Sequence, residues 1–80
     1  MDLDMKQMIR DHVDERIYHM QTEKTYTFEW LLGDSILAST TELDRMYLER
    51  MLNLSLAFGE LEIYVDGLNE EGRTLYRRVD

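Results

Sequence analysis

Hydrophobic positions recur at helical spacing in two long segments of the chain and alternate with polar ones near its end. In the first segment the spacing is four and three residues, which lines one face of an α-helix. This face predicts a first helix from Met5 to about Met20, packed either within its own domain or against the same helix of a second copy. Its predicted apolar residues are Met5, Ile9, Val13, Ile17 and Met20, with Met8 beside them.

A short helix is predicted after a polar connection. Thr25–Thr27 has the residue types of a short strand. Thr27 is then placed to cap a helix over Phe28–Leu32, and Gly33 to end it.

The second long segment predicts a main helix from about Thr41 to Phe58. Ser39 and Glu42 have the spacing of a capping box, which is typical of a helix start. The apolar surface of this helix is so broad that we expect most of it to be buried. It consists of Leu43, Tyr47, Met51, Leu54 and Phe58, widened by Leu48 and Leu52. Leu48, Leu52 and Trp30 are the predicted core residues.

The end of the chain predicts a β-hairpin, since apolar and polar residues alternate in 61–66 and 73–78. The connection over 67–72 is longer than a two-residue turn, and we expect an exposed, mobile tip. Alternation places Tyr64 and Tyr76 opposite Ile63 and Leu75. The expected fold is therefore a single α+β domain over 1–80, with an N-terminal helix, a short helix, a long helix and a C-terminal antiparallel hairpin.

Three sequence features resemble a bacterial and phage family of very small winged-helix-like domains. They are Thr27-Phe28 with Leu32 and Gly33, then Asp44-Arg45 with Leu48 and Arg50, then Tyr76-Arg77-Arg78. Where that family has a glycine before the helix arginine, this chain has Glu49. The resemblance covers about residues 25–78 and implies a winged-helix-like fold over about 25–79, not an activity.

The chain is acidic throughout, with 17 acidic and 9 basic residues and a formal net charge of −8. It contains no cysteine, which excludes disulfides and thiolate metal sites. The N-terminus lacks the basic and apolar regions of a signal peptide. No segment approaches the roughly 20 apolar residues that span a bilayer. We therefore expect a cytoplasmic protein that does not enter a membrane.

Catalytic and metal-binding patterns are missing from the sequence. His12 and His19 are seven residues apart, which puts about 10 Å between them on a helix, too far to bind one zinc ion. The sequence has no phosphate-binding glycine loop and no nucleophile motif. The loop over 66–71 lacks the ligand spacing of a calcium site. We expect no enzyme activity, no cofactor and no metal.

The preferred functional hypothesis is a small interaction protein that binds and modulates a protein partner with a basic surface. An inhibitor of phage type that mimics the charge of nucleic acid is one example. The sequence leaves open whether the tyrosines contact a partner, cover the sheet or pack on the first helix, and whether the chain is a monomer or a homodimer. The expected contact residues are Asp11, Asp14, Glu15, Tyr64, Glu70, Glu71 and Tyr76.

The alternative hypothesis is a winged-helix transcription regulator. Such a protein would contact DNA through its long helix and its hairpin. Its contact residues would be Arg45, Arg50, Arg73, Arg77 and Arg78. Neighbouring acids on the same two elements would repel phosphate, so this hypothesis ranks second.

Overall fold

A computed structural model describes residues 3–79 and shows three helices and a three-stranded antiparallel sheet. The order along the chain is α1 (Leu3–Tyr18), β1 (Thr25–Thr27), α2 (Phe28–Ser39), α3 (Glu42–Ala57), β2 (Ile63–Leu68) and β3 (Thr74–Arg78). In the sheet, β3 lies between β1 and β2. The α+β class predicted from the sequence is confirmed.

Helix α1 packs against its own chain. Ile9, Val13 and Ile17 are buried in the core, and each buried side chain of this size contributes about 1.5–3 kcal/mol to stability. The intramolecular alternative for this helix is therefore the one observed. Met5 and Met8 were expected in the buried face but are exposed, because the core contacts only the narrow strip of α1 centred on Val13.

Helix α2 begins as predicted, breaks at the predicted Gly33 and continues as a second helical segment. The hydroxyl of Thr27 accepts a hydrogen bond from the backbone N–H of Trp30 at 3.3 Å. Gly33 interrupts the helix with φ 79° and ψ 162°, and the helix then resumes to Ser39. This backbone conformation is essentially restricted to glycine. The short helix therefore ends at Gly33 as predicted, and the helical segment that follows it to Ser39 was not predicted.

The cap of α3 is Thr41 rather than the predicted Ser39. The Thr41 hydroxyl accepts from the Asp44 N–H, and the Asp44 carboxylate accepts from the Thr41 N–H, both at 3.1 Å. The bond from the Thr41 N–H holds the pKa of Asp44 below its usual value. Ser39 still belongs to α2 and donates to the carbonyl of Ser35 at 2.9 Å, so it is not available to begin the next helix.

The register of the sheet decides which face each residue of the hairpin occupies. Val65 pairs with Tyr76, and Ile63 pairs with Arg78. Paired residues share a face, so Tyr76 lies on the inner side with Ile63. The predicted placement of Tyr76 opposite Ile63 is wrong. Leu75 and Tyr76 are adjacent and both apolar, so alternation alone did not distinguish the inner residue.

The hairpin turn is slightly shorter than predicted and is closed by several hydrogen bonds. β2 extends to Leu68, beyond a register shift. The Gly72 N–H donates to the Asn69 carbonyl at 3.0 Å, and the Asn69 side-chain oxygen accepts from the N–H groups of Glu71 and Arg73, each at 2.9 Å. These bonds close a connection over 69–73, which is longer than two residues and largely exposed as predicted but one residue shorter than the expected 67–72.

One hydrophobic core joins the inner faces of the helices and the sheet. Leu48 and Leu52 are buried as predicted, whereas Trp30 is only partly buried and packs at the edge of the core. The guanidinium of Arg16 lies 4.0 Å from the centre of the Trp30 ring. The buried core residues are Ile9, Val13, Ile17, Met20, Phe28, Leu31, Leu32, Leu48, Leu52, Ile63 and Tyr76.

We predict that Gly33→Ala destabilises the protein by about 1–3 kcal/mol. An added methyl group would be strained at φ +79° and would lie 3.3 Å from the Nε2 of His12. Urea unfolding followed by circular dichroism measures the change. Gly59→Ala is the matched control, because Gly59 has φ +71° but open space around the added carbon. An equal loss in the two variants would show that the His12 contact has no effect.

We also predict that Leu52→Ala costs about 2–5 kcal/mol, because it removes a buried side chain and leaves a cavity. The control is Leu68→Ala in the hairpin, since Leu68 is exposed and surface substitutions usually change stability by less than about 0.5 kcal/mol. Thermal or urea unfolding compares the two variants. Equal melting temperatures would contradict the inward orientation of Leu52.

Candidate protein-binding surfaces

The three acids predicted on the first helix are all exposed, but their environments differ. Asp14 forms an ion pair with Arg10 at 3.5 Å. Asp11 accepts a hydrogen bond from the side chain of Gln7 at 2.9 Å. Glu15 forms no ion pair with any residue in 3–79. Asp11 and Glu15 therefore form no ion pair within residues 3–79.

Acids and large apolar side chains alternate along the solvent side of α1. Met8 and Tyr18 are each 71% exposed. The spacing of four and three residues places the whole set on one side of the helix. We call this set the α1 outer face; its residues are Asp4, Met8, Asp11, Glu15 and Tyr18.

The acids of the hairpin turn form a separate surface. Glu70 and Glu71 are exposed, as predicted. Arg73 pairs with Glu29 at the start of α2 and lies 3.6 Å from Glu71. The turn is thus attached to α2, and Glu71 already has a cation beside it. Glu70 is the acid of the turn that remains open to a partner.

The two tyrosines predicted at the interface lie on opposite faces of the sheet. Tyr64 is exposed and pairs with Arg77 across the strands. Tyr76 is 0% exposed, and its hydroxyl donates to the side-chain oxygen of Asn53 on α3 at 3.4 Å. Tyr76 therefore cannot contact a partner, and its predicted role is wrong. The alternative that a tyrosine covers the inner sheet is the one observed for this residue.

Most of the arginines proposed for DNA contact bind the chain itself. Arg45 donates to backbone carbonyls at the end of α2, at 3.2 and 3.5 Å. Arg78 donates to carbonyls at the end of α1, at 2.9 and 3.2 Å. Arg77 pairs with Asp66 at 2.7 Å, and Arg73 is paired with acids as described above. Only Arg50, among the arginines in 3–79, forms no hydrogen bond or ion pair there.

The solvent side of α3 is apolar, so the prediction that most of its broad apolar surface is buried is wrong. Leu43 is 75% exposed, Met46 64% and Leu54 48%. The broad apolar surface of this helix therefore consists of two faces, and only the one with Leu48 and Leu52 reaches the core. We call the other one the α3 outer face; its residues are Leu43, Met46, Tyr47, Arg50, Met51 and Leu54, and Phe58 lies exposed beyond the end of the helix.

Helices α1 and α3 do not close on each other along their length. An apolar groove of about 290 Å³ lies between them. Polar contacts bridge its edges: the Lys6 ammonium lies 5.1 Å from the Tyr47 ring centre, and Arg10 donates to the Ser55 hydroxyl at 3.4 Å. Helix α3 therefore contacts the rest of the domain along a narrow strip, and its outer face is exposed to solvent.

The histidines offer no metal site. The Nε2 of His12 is buried beside Gly33 and has no hydrogen-bond partner, and His12 as a whole is partly exposed. His19 is exposed and its ring meets the edge of Tyr18 at 5.5 Å. Within residues 3–79, no group of three histidine or acidic residues is arranged to hold a metal ion. No helix in that range is long and apolar enough to cross a bilayer.

The buried hydroxyl of Tyr76 predicts a stability change at alkaline pH. Burial, followed by the charges of Glu49 and Glu29, raises the pKa of Tyr76 to about 12 from 10.0. The folded state thus holds this proton more tightly than the unfolded state, so the contribution is complete below pH 10 and is lost as pH rises towards 12. We expect the free energy of unfolding to fall across this window.

Urea unfolding at several pH values between 10 and 12 measures the decline in the free energy of unfolding. Tyr76→Phe should remove the part of the decline that comes from this hydroxyl, whereas Tyr64→Phe on the exposed face should keep it. If the two variants show the same pH dependence, the buried hydroxyl of Tyr76 is not its source.

Comparisons with models of known protein families, with curated proteins and with solved structures found no match to this chain. The resemblance to small winged-helix-like domains stays a prediction, and the assignment of a function rests on the surfaces described above.

Proposed function

We propose that this chain is a small, non-enzymatic interaction protein that binds and modulates a protein partner with a basic surface. The observation that supports it best is the distribution of charge. Every arginine in 3–79 except Arg50 donates to its own chain, while Asp11 and Glu15 form no ion pair there. The exposed charge of the molecule is therefore predominantly negative.

The α1 outer face is the proposed contact surface. Its acids attract a basic partner and orient it, since complementary charge accelerates and directs association. Met8 and Tyr18 add apolar contact area between the acids, and exposed aromatic residues are frequent contributors to binding energy. Tyr64 and Glu70 form a second exposed set on the hairpin and belong to the same proposal. Inhibition by mimicry of nucleic-acid charge in the cytoplasm is one form that such an activity would take.

The rival proposal, a winged-helix DNA-binding regulator, lacks free cations on the elements that it requires. Arg45 and Arg78 would have to leave helix-end carbonyls, and Arg77 would have to leave Asp66. Each of these exchanges opposes the gain from counterion release on DNA binding. Arg50 is the one arginine of the set that would contact DNA without first breaking a bond to its own chain.

A capture experiment with matched charge variants tests the proposal. The protein is immobilised, incubated with a bacterial lysate, and the retained proteins are quantified by mass spectrometry. We expect basic proteins to be retained at low salt and released as salt is raised, because exposed charge pairs are screened. The double variant Asp11→Lys with Glu15→Lys should lose them.

The control variant is Asp34→Lys with Glu62→Lys, which changes the net charge equally at two exposed acids away from the α1 outer face. It should retain the partners of the wild type. Equal loss in both variants would mean that bulk charge alone causes retention, and unchanged retention in the first would exclude the α1 outer face. A parallel titration with duplex DNA should show no binding; micromolar binding lost in Arg50→Ala would favour the regulator instead.

A further inference from the structure

The α3 outer face carries five exposed apolar side chains around Arg50, and Lys6 of α1 reaches only its edge, 5.1 Å from the centre of the Tyr47 ring. This strip runs along a helix of 16 residues, a length of about 24 Å at the rise of an α-helix. Monomeric soluble proteins rarely expose large contiguous apolar patches, and such patches commonly mark interaction sites. This strip lies on a different helix from the acids of the α1 outer face.

The order of residues on this strip reads nearly the same in both directions. Successive positions are separated by three, one, three, one and three residues, so the spacing is symmetric about the midpoint between 48 and 49. The side chains match as well: Leu43 corresponds to Leu54, and Met46 corresponds to Met51. The central correspondence joins Tyr47 to Arg50. Because the strip presents nearly the same side chains when the helix direction is reversed, it is suited to pack against the same strip of a second copy with the two helices antiparallel.

We propose that two copies of this chain form a homodimer through their α3 outer faces, with the two helices antiparallel about a two-fold axis. In such an interface a residue i contacts j of the other copy, and j contacts i in return. Leu43 then contacts the partner's Leu54, and Met46 contacts the partner's Met51. Tyr47 contacts the partner's Arg50. Every large side chain of the strip obtains a counterpart of fitting chemistry.

Arg50 has a specific role in this arrangement. Its guanidinium packs on the ring of the partner's Tyr47, where the electron-rich face of the ring attracts the cation. A parallel pair in register would instead place Arg50 opposite the partner's Arg50, where the like charges repel. The one arginine without a hydrogen bond inside 3–79 thus specifies the antiparallel register.

The size and charge of the interface limit its strength. A single helix pair of this length lies at or below the lower end of specific protein interfaces, which bury about 1,200–2,000 Å² in total. Each copy carries a net charge of −8, so the two repel each other at low salt. We therefore expect a dimer of micromolar rather than nanomolar affinity that strengthens as salt is added. Added salt would instead weaken the binding of a basic partner by the α1 outer face.

Sedimentation equilibrium of the purified protein tests the dimer separately from any partner. We expect the wild type to change from monomer to dimer between about 1 and 100 μM, at lower concentration in higher salt. Leu43→Glu and Leu54→Glu should each shift the midpoint at least tenfold upwards with an unchanged circular dichroism spectrum. Leu68→Glu on the hairpin is the control and should dimerise like the wild type, since Leu68 is equally apolar and exposed. A wild type that remains monomeric up to about 500 μM overturns the proposal.

Cysteine cross-linking tests the register, since the chain has no cysteine of its own. Leu43→Cys and Leu54→Cys are made as separate variants. Under mild oxidation a mixture of the two should yield a covalent dimer, while each variant alone should not, because about 16 Å along the helix axis separates the two positions. Cross-linking of Leu43→Cys with itself would indicate parallel helices, and a mixture that does not cross-link would exclude the antiparallel register.

Discussion

Hydrogen bonds from arginine side chains to backbone carbonyls hold the ends of the helices, and the rest of the structure depends on them. Arg78 reaches from the last strand to the end of α1, and Arg45 reaches from α3 to the end of α2. Arg16 joins α1 to the Trp30 carbonyl at 2.6 Å. The last carbonyls of a helix have no partner within the helix. In a domain of 80 residues with one small core, these bonds add polar connections between elements that the core also joins.

The same bonds determine the charge that solvent and partners encounter. Because most arginines donate to carbonyls or pair with other acids, the carboxylates of Asp11, Glu15 and Glu70 form no ion pair within residues 3–79. The negative charge is therefore a property of the surface, not merely of the composition. The proposal of a basic protein partner rests on this separation.

Helix α3 illustrates how a small domain can carry an interaction surface on a structural element. It has apolar residues on both sides, but a domain of this size has one core and buries only the side with Leu48 and Leu52. The opposite side, with Leu43 and Leu54, remains available for association with a second copy. Dimerisation through α3 and binding through α1 would use different helices, so one need not exclude the other.

The sequence by itself determined the elements, because helix periodicity, caps and strand alternation are local properties. It placed Thr27 as a helix cap, Gly33 at a break and the hairpin near its observed position, and it identified Asp11 and Glu15 as exposed acids. The tertiary structure decided the features that local sequence patterns leave open. Periodicity did not show that α3 leaves one apolar side exposed, and alternation did not reveal that Tyr76 faces inwards. The carbonyl partners of Arg78 lie 58 and 60 residues away, so only the folded chain could show that this cation is not free to bind nucleic acid.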